Sequence, residues 1–358
     1  MKKICFFMDC INGTGGISRV NWLVINALNE TKYEIFVLGL FKGDSVRYTY
    51  KDTIKTSYLF EQQVPNHKRL FKASKMLRKY ICDHDFDIII CSGEINFPIL
   101  ALAVAGLDVK VICWEHSNVS VTNEHKFQSI CRFSGTVVAN KIIALTKKDA
   151  QLYKEKFRVK NCVHIYNPID SRLMKQVHYN AESKRIISVG RLNYQKNFEC
   201  AVNVAKIVLE CYPDWSWDIY GSGNEKEKLQ KQIDDFGLNG RIELKGQVDD
   251  LYSRYPDYAL LVMTSRFEGF PMTLLESTAC GLPAIAFDIL TGPNEIIDDG
   301  ISGYLVEFEQ VDEMAEKIIS LIKNKSIRKQ MSQSCVDKRN NFSIEKVVEQ
   351  WENQLDNI

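Results

Sequence analysis

Glu268 and Glu276 are separated by seven residues in the segment Arg266-Phe267-Glu268-Gly269-Phe270-Pro271-Met272-Thr273-Leu274-Leu275-Glu276. Pro271 suits the first turn of a helix and Gly281 its end. That places Glu268 in a loop and Glu276 more than a turn into the helix. Carboxylates so disposed cannot serve as an acid/base pair across one bond. They suit two different parts of an extended ligand, and the unused N–H groups available within residues 270–273 at the helix start would point to the same place. Arg191 and Lys196 stand five residues apart in Gly190-Arg191-Leu192-Asn193-Tyr194-Gln195-Lys196-Asn197. A guanidinium grips phosphate oxygens in pairs and an ammonium adds a point charge beside it. A diphosphate would suit them, and a solvated surface loop is the competing reading. Asn197 is placed to cap the next helix. Asn12-Gly13-Thr14-Gly15-Gly16, leading into a helix from Ile17, lets backbone N–H groups approach an anion. It is not the dinucleotide-binding G-x-G-x-x-G, because Ser18 takes the third glycine position and no acid ends the next strand, Leu38-Gly39-Leu40-Phe41. An ordinary tight turn stays open there.

Something must hold these segments at strand ends. Short apolar, β-rich runs at residues 4–8, 35–40, 88–91, 109–114, 142–145 and 163–166 alternate with helical patterns. Continuous apolar strands are buried on both faces, which argues for a parallel sheet covered by helices. The alternation pauses at Asn167-Pro168-Ile169-Asp170 and resumes at 186–189, 217–220, 242–244, 259–263 and 284–287. The reading is α/β, with two doubly wound domains at 1–168 and 169–342 and a linker near 168–184. Residues 343–358 form a closing helix, with Ser343 as its N-cap, that packs back on the first domain. Ligands of such sheets lie outside the carboxyl ends of the strands, so two facing sheets imply a cleft.

The chain has 358 residues, enough for two domains at about 150 each. Its 46 basic and 45 acidic residues leave a net charge of +1, which disfavours a nucleic-acid partner. The longest apolar run, 97–107, falls short of the ~20 residues of a membrane span, and the first nine residues do not fit a signal peptide. Eleven cysteines without a C-x-x-C read as small buried hydrophobes in a reducing cytosol. Asp83-x-Asp85 and Asp85-x-Asp87 imitate a metal-binding pair but precede a strand rather than follow it, so no metal site is expected. Residues 66–80 carry six basic side chains and no acid, and Leu70, Ala73, Leu77 and Tyr80 share one helical face. Such a helix either packs on the sheet with a solvated basic face or lies on an anionic surface, with Lys68, Arg69, Lys72 and Lys75 as its contacts.

Taken together, Glu268-x7-Glu276 and Gly-Arg-Leu…Lys-Asn resemble the retaining GT-B glycosyltransferases of family four. The resemblance extends to Arg19 in the glycine loop, Trp114-Glu115-His116-Ser117-Asn118, Tyr220-Gly221-Ser222-Gly223, Gly246-Gln247-Val248, and Thr291-Gly292-Pro293…Glu295-Ile296-Ile297. Ser18 departs from it, standing where many relatives carry Glu. The resemblance implies that Arg191 and Lys196 hold the donor diphosphate and that Glu276 binds the ribose hydroxyls. Glu268 with the backbone of Gly269, Phe270, Pro271 and Met272 would then bind the donor sugar. Val248 would contact the nucleobase, Gly15 and Gly16 would approach the phosphates, and His116 would sit at the reacting centre. It further implies a UDP-sugar donor, no cofactor or metal, and transfer of a hexose or N-acetylhexosamine to a lipid-linked glycan in capsule, exopolysaccharide or O-antigen assembly. The enzyme would be cytoplasmic and peripheral on the membrane's inner face. A nucleotide-sugar epimerase of the same architecture and a non-enzymatic two-domain sugar-binding protein are the alternatives.

Overall fold

The computed structural model describes residues 1–13, 15–43, 48–63, 66–120, 126–175 and 179–358, without the side chains of 66–68 and 126. Thr14 and the side chain of Lys68 therefore lie outside the described residues. The chain divides into two units, Met1–Pro168 with Ile344–Ile358, and Ile169–Ser343.

Apolar runs that are buried on both faces pair in parallel. In the first unit the strands are β1 (Lys2–Cys10), β2 (Tyr33–Phe41), β3 (Lys55–Phe60), β4 (Ile88–Ser92), β5 (Lys110–Trp114), β6 (Lys141–Ala144) and β7 (Cys162–His164). Their order is β3-β2-β1-β4-β5-β6-β7. Ile4 of β1 sits opposite Ile35 on one side and Ile88 on the other, so the most apolar strand is central. The crossovers are α1 (Gly16–Ala27), α2 (Asn66–His84), α3 (Phe97–Val104), α4 (Lys126–Val138) and α5 (Lys147–Phe157).

The second unit repeats the plan. It holds β8 (Arg185–Val189), β9 (Ser216–Tyr220), β10 (Ile242–Gly246), β11 (Leu260–Met263), β12 (Ala284–Asp288) and β13 (Gly303–Glu307), in the order β10-β9-β8-β11-β12-β13. Its helices are α6 (Ser171–Met174), α7 (Phe198–Cys211), α8 (Lys226–Asp235), α9 (Met272–Ala279), α10 (Pro293–Ile296), α11 (Val311–Lys323) and α12 (Lys325–Arg339). Each sheet reverses direction once, between β1 and β4 and between β8 and β11. Both units are doubly wound, as the alternating pattern requires.

The structure corrects several local expectations. β3 and β13 are strands that no apolar run announced. They are edge strands with exposed polar positions. The strand expected at 163–166 is Cys162–His164, since its neighbour β6 offers only four residues. α1 starts at Gly16, one residue early. Pro271 occupies the position before α9 rather than its first turn. Asn197 precedes α7 but is left-handed, with φ 53°, and its side chain makes no capping bond. Gly281 does close α9: its N–H bonds to Thr278 O at 3.1 Å, and Leu282 N–H to Ser277 O at 2.8 Å, a Schellman closure. The cysteines form no disulfide and eight are buried.

The last helix, α13 (Ile344–Asp356), belongs to the first unit. Trp351 is wholly buried, with its ring 4.5 Å from that of Trp114 and 6.5 Å from that of Phe6. Tyr33 Oη donates to Asp356 at 2.7 Å, and Lys141 Nζ to Gln354 Oε1 at 2.8 Å. Replacing Trp351 with Ala should destabilise this unit by about 3–5 kcal/mol, the range for emptying a large aromatic site. Urea unfolding followed by fluorescence checks it, and a loss below ~1 kcal/mol would show that α13 is an ornament on the sheet.

Candidate functional site

In the second unit the loops after β8 and β11 leave the sheet on either side of its reversal and meet. Arg266 N–H donates to Gln195 O at 2.8 Å, and Gln195 Nε2 to Phe267 O at 3.0 Å. Thr264 Oγ1 bonds to the carbonyls of Lys196 and Asn197 at 3.1 and 3.0 Å. This stitching brings Lys196 and Glu268 together: Nζ lies 2.5 Å from Oε1, with 16% and 8% of the side chains exposed. A cation and a carboxylate expected to serve different parts of a ligand thus touch one another. Thr291 Oγ1 donates to Glu268 O at 2.7 Å. Gly292, at φ 102°, lets the next turn close on the same loop, where a Cβ would stand 2.7 Å from Pro271 Cδ and 3.0 Å from Gly269 O.

Glu276 lies in the fifth position of α9, buried, and receives Tyr255 Oη at 2.6 Å. Phe270 and Pro271 are buried, while Gly269 and Met272 are partly exposed. Arg191 is exposed and makes no hydrogen bond or ion pair among the described residues. The turn after β9 approaches it closely. Gly221, at φ 142°, passes so near Gly190 O that a Cβ would sit 1.8 Å away. Val248 is half-buried two residues beyond β10. Sequence reasoning missed Tyr255, Gln195 and Thr264, and gave Thr291 no role of its own. None belongs to a spacing pattern.

In the first unit Gly15 and Gly16 open α1, with nothing within 4 Å of where a Cβ would point. His116 follows β5. Its Nε2 lies 2.9 Å from Ser92 Oγ at the end of β4, and Asn21 Nδ2 of α1 donates to that same oxygen at 2.8 Å. The ring packs 4.5 Å from that of Trp114. Burial pushes its pKa down to about 4, partly opposed by Glu115. Glu115 is buried and accepts from Arg132 Nε at 2.7 Å, Tyr153 Oη at 2.5 Å and the N–H groups of residues 116 and 117. Burial alone would raise its pKa, but the Arg132 charge and these bonds hold it below the usual value. Glu94, after β4, accepts from Ser117 Oγ at 3.1 Å, with Arg132 at 3.9 Å. Burial and the Glu115 charge push its pKa up to about 7.

The helix expected to carry cations is α2. Its apolar face packs on the sheet through Ala73, Leu77 and Ile81, flanked by Leu70 and Tyr80. Arg69 lies over the ring of Phe41 and Lys72 over that of Phe60. Lys75 and Lys79 are exposed. Arg78 is spent on the carbonyls of Ala103 and Ala105, at 2.9 and 2.7 Å. The Asp83–Asp87 segment turns from α2 into β4, and Asp87 accepts Lys3 N–H at 2.7 Å. Among the described residues no three His, Cys, Asp or Glu side chains gather as a metal would need, and no helix is long and apolar enough to cross a membrane.

Two titrations follow with opposite signs. The folded chain keeps the Glu94 proton up to about 7 against an ordinary 4.5, so Glu94 lowers stability as pH rises through that window. His116 stays neutral down to about 4 against 6.5, so it raises stability as pH rises between those values. Glu94→Gln removes the first effect. Its stability relative to wild type should improve by of order 3 kcal/mol between about pH 4.5 and 8. Urea titrations across that range test it, and a difference that does not vary with pH would refute the buried-carboxyl account.

A model of glycosyltransferase family 4 matches residues 14–173, and one of glycosyl transferases group 1 matches residues 170–335. A glycosyltransferase of Haemophilus influenzae without an assigned reaction is 28% identical over 99% of this chain and all of its own. The amylovoran biosynthesis glycosyltransferase AmsD of Erwinia amylovora is 27% identical over the same shares. Anabaena HepE, solved in complex with UDP, superposes over the whole of both chains with a TM-score of 0.83 at 17% identity. The two models follow one another along both doubly wound units, and the chain is a glycosyltransferase of GT-B fold that is similar to family four.

Proposed function

We propose that the second unit binds a UDP-sugar and that the enzyme transfers its hexose or N-acetylhexosamine, with retention of configuration, to a lipid-linked glycan during surface polysaccharide assembly. The observation that carries this reading is the Lys196–Glu268 pair at the reversal between β8 and β11, where α/β sheets take their ligands. The amylovoran relative supports the polysaccharide setting, and UDP in HepE supports the donor. Arg191 is exposed and uncommitted, ready to bind the diphosphate beside Lys196. Glu276, steadied by Tyr255, takes the ribose hydroxyls, and Val248 lies beside the base. Glu268 orients Lys196 and meets the sugar with the start of α9.

Bond breaking moves an electron pair from the anomeric C–O bond onto the diphosphate. Arg191, Lys196 and helix N-termini stabilise that growing charge. The acceptor oxygen attacks on the face the diphosphate leaves, and its proton passes to a phosphate oxygen. No carboxylate acts as nucleophile and no metal is required. His116, neutral at physiological pH, contributes a hydrogen bond rather than a charge. The acceptor's lipid holds the enzyme at the inner membrane face, with the exposed cations of α2 toward anionic headgroups.

Lys196 meets charge that grows in the transition state, so Lys196→Ala should lower kcat by ~10²–10³-fold. Glu276→Ala removes bonds made equally in ground and transition states and should mainly raise KM. Steady-state kinetics with a panel of UDP-sugars, repeated in excess EDTA, measure both, and wild-type turnover should persist in the chelator. Two variants with unchanged kinetics would overturn the donor site, and turnover lost to EDTA and restored by magnesium would overturn the metal-free step.

A further inference from the structure

A helix on a protein surface ordinarily turns its polar side to water. α4 does the reverse. Its inward side carries Arg132, held by Glu115 at 2.7 Å, and Gly135, which presses so closely on Phe97 of α3 that a Cβ would meet that ring at 2.6 Å. Its outward side carries Phe127, Ile130, Phe133 and Val137, which are 60%, 63%, 61% and 69% exposed. These are all the exposed side chains among residues 127–138. Spaced at intervals of three, three and four, they form one stripe along the helix. A contiguous exposed apolar surface of this kind marks an interaction site.

What borders the stripe selects its partner. α4 contains no acidic residue. α3 packs beside it and presents Leu102, 45% exposed. On the far side of α3 lies α2, tied to it through Arg78. α2 exposes Phe71 at 77% among Lys72, Lys75 and Lys79, and carries no acid before Asp83. An apolar stripe on a helix without acids, with the cations of α2 beyond α3 and no acid on α2 before Asp83, matches the boundary between anionic headgroups and acyl chains. It matches a second copy of the same surface poorly, because the cations would face one another.

The geometry points to α4 as an interfacial anchor that seats Phe127, Ile130, Phe133 and Val137 in an anionic bilayer while α2 supplies the electrostatic attraction. This rests on the membrane part of the proposed function and adds the element that inserts. Cations alone give binding that salt removes, whereas an inserted apolar stripe gives a component that salt leaves in place.

The test uses the full chain and co-sedimentation with phosphatidylcholine vesicles, with and without phosphatidylglycerol, at low and high salt. Wild type should bind the anionic vesicles and retain part of that binding at high salt. The variant F127S/I130S/F133S should partition about 100-fold more weakly and lose the salt-resistant part. Its transfer to a short soluble acceptor should be unchanged, since the donor-binding loops belong to the second unit. The variant K72Q/K75Q should lose mainly the low-salt attraction. Slowed amide exchange at residues 127–138 of wild type on vesicles checks insertion without any substitution. Vesicle binding by the stripe variant equal to wild type, or amide exchange unaltered by vesicles, overturns the inference alone. A wild-type dimer that the stripe substitutions dissociate overturns it in favour of a second copy. Absence of wild-type binding to any vesicle overturns the membrane part of the proposed function as well.

Discussion

Parallel strands cannot be joined by tight hairpins, so every connection must cross a face of the sheet. In both units the crossovers run outward from the first strand in one direction and then in the other. That leaves one neighbouring pair in each sheet, β1 with β4 and β8 with β11, at which the direction of the crossovers reverses. Nearly every polar group singled out above depends on this constraint. Ser92 meets His116 and Asn21 at one reversal, and Lys196 meets Glu268 at the other.

Charged groups are held at both places by buried pairing. Removing one partner of a buried pair costs roughly 3–5 kcal/mol, because the other is left uncompensated. Glu115 with Arg132 and Tyr153 fixes the turn that carries His116. Lys196 with Glu268, backed by Thr291 and the close approach of Gly292, fixes the loop before α9. These contacts within the protein set both loops in place.

The central strands were legible in the sequence because burial on both faces removes the polar alternation that blurs other strands. β3 and β13 were not, since an edge strand with one wet side has no continuous apolar run. Arg191, Lys196, Glu268 and Glu276 could be singled out by residue type and spacing. The contact between Lys196 and Glu268 could not, because 72 residues separate them and only the strand order joins their loops. Tyr255 was invisible for the same reason, being 21 residues from the carboxylate it touches. On α4 the periodicity misleads: residues 127, 130, 133 and 137 have the spacing of a core-facing stripe, yet the neighbouring packing turns them outward. Composition likewise gave six cations on α2, but Arg78 is consumed by the end of α3.

The first unit is discontinuous. Trp351 fills the space between Phe6 and Trp114, so two of the three rings leave the ribosome more than two hundred residues before the third. During synthesis the early sheet must wait with an uncovered aromatic surface, while Ile169–Ser343 has all of its strands in one continuous stretch. Contacts of such sequence separation form late. The second unit therefore matures before the first is complete, a reversal of the usual amino-to-carboxyl order of domain folding. Until α13 has emerged, the nascent chain carries Phe6 and Trp114 without the ring that covers them.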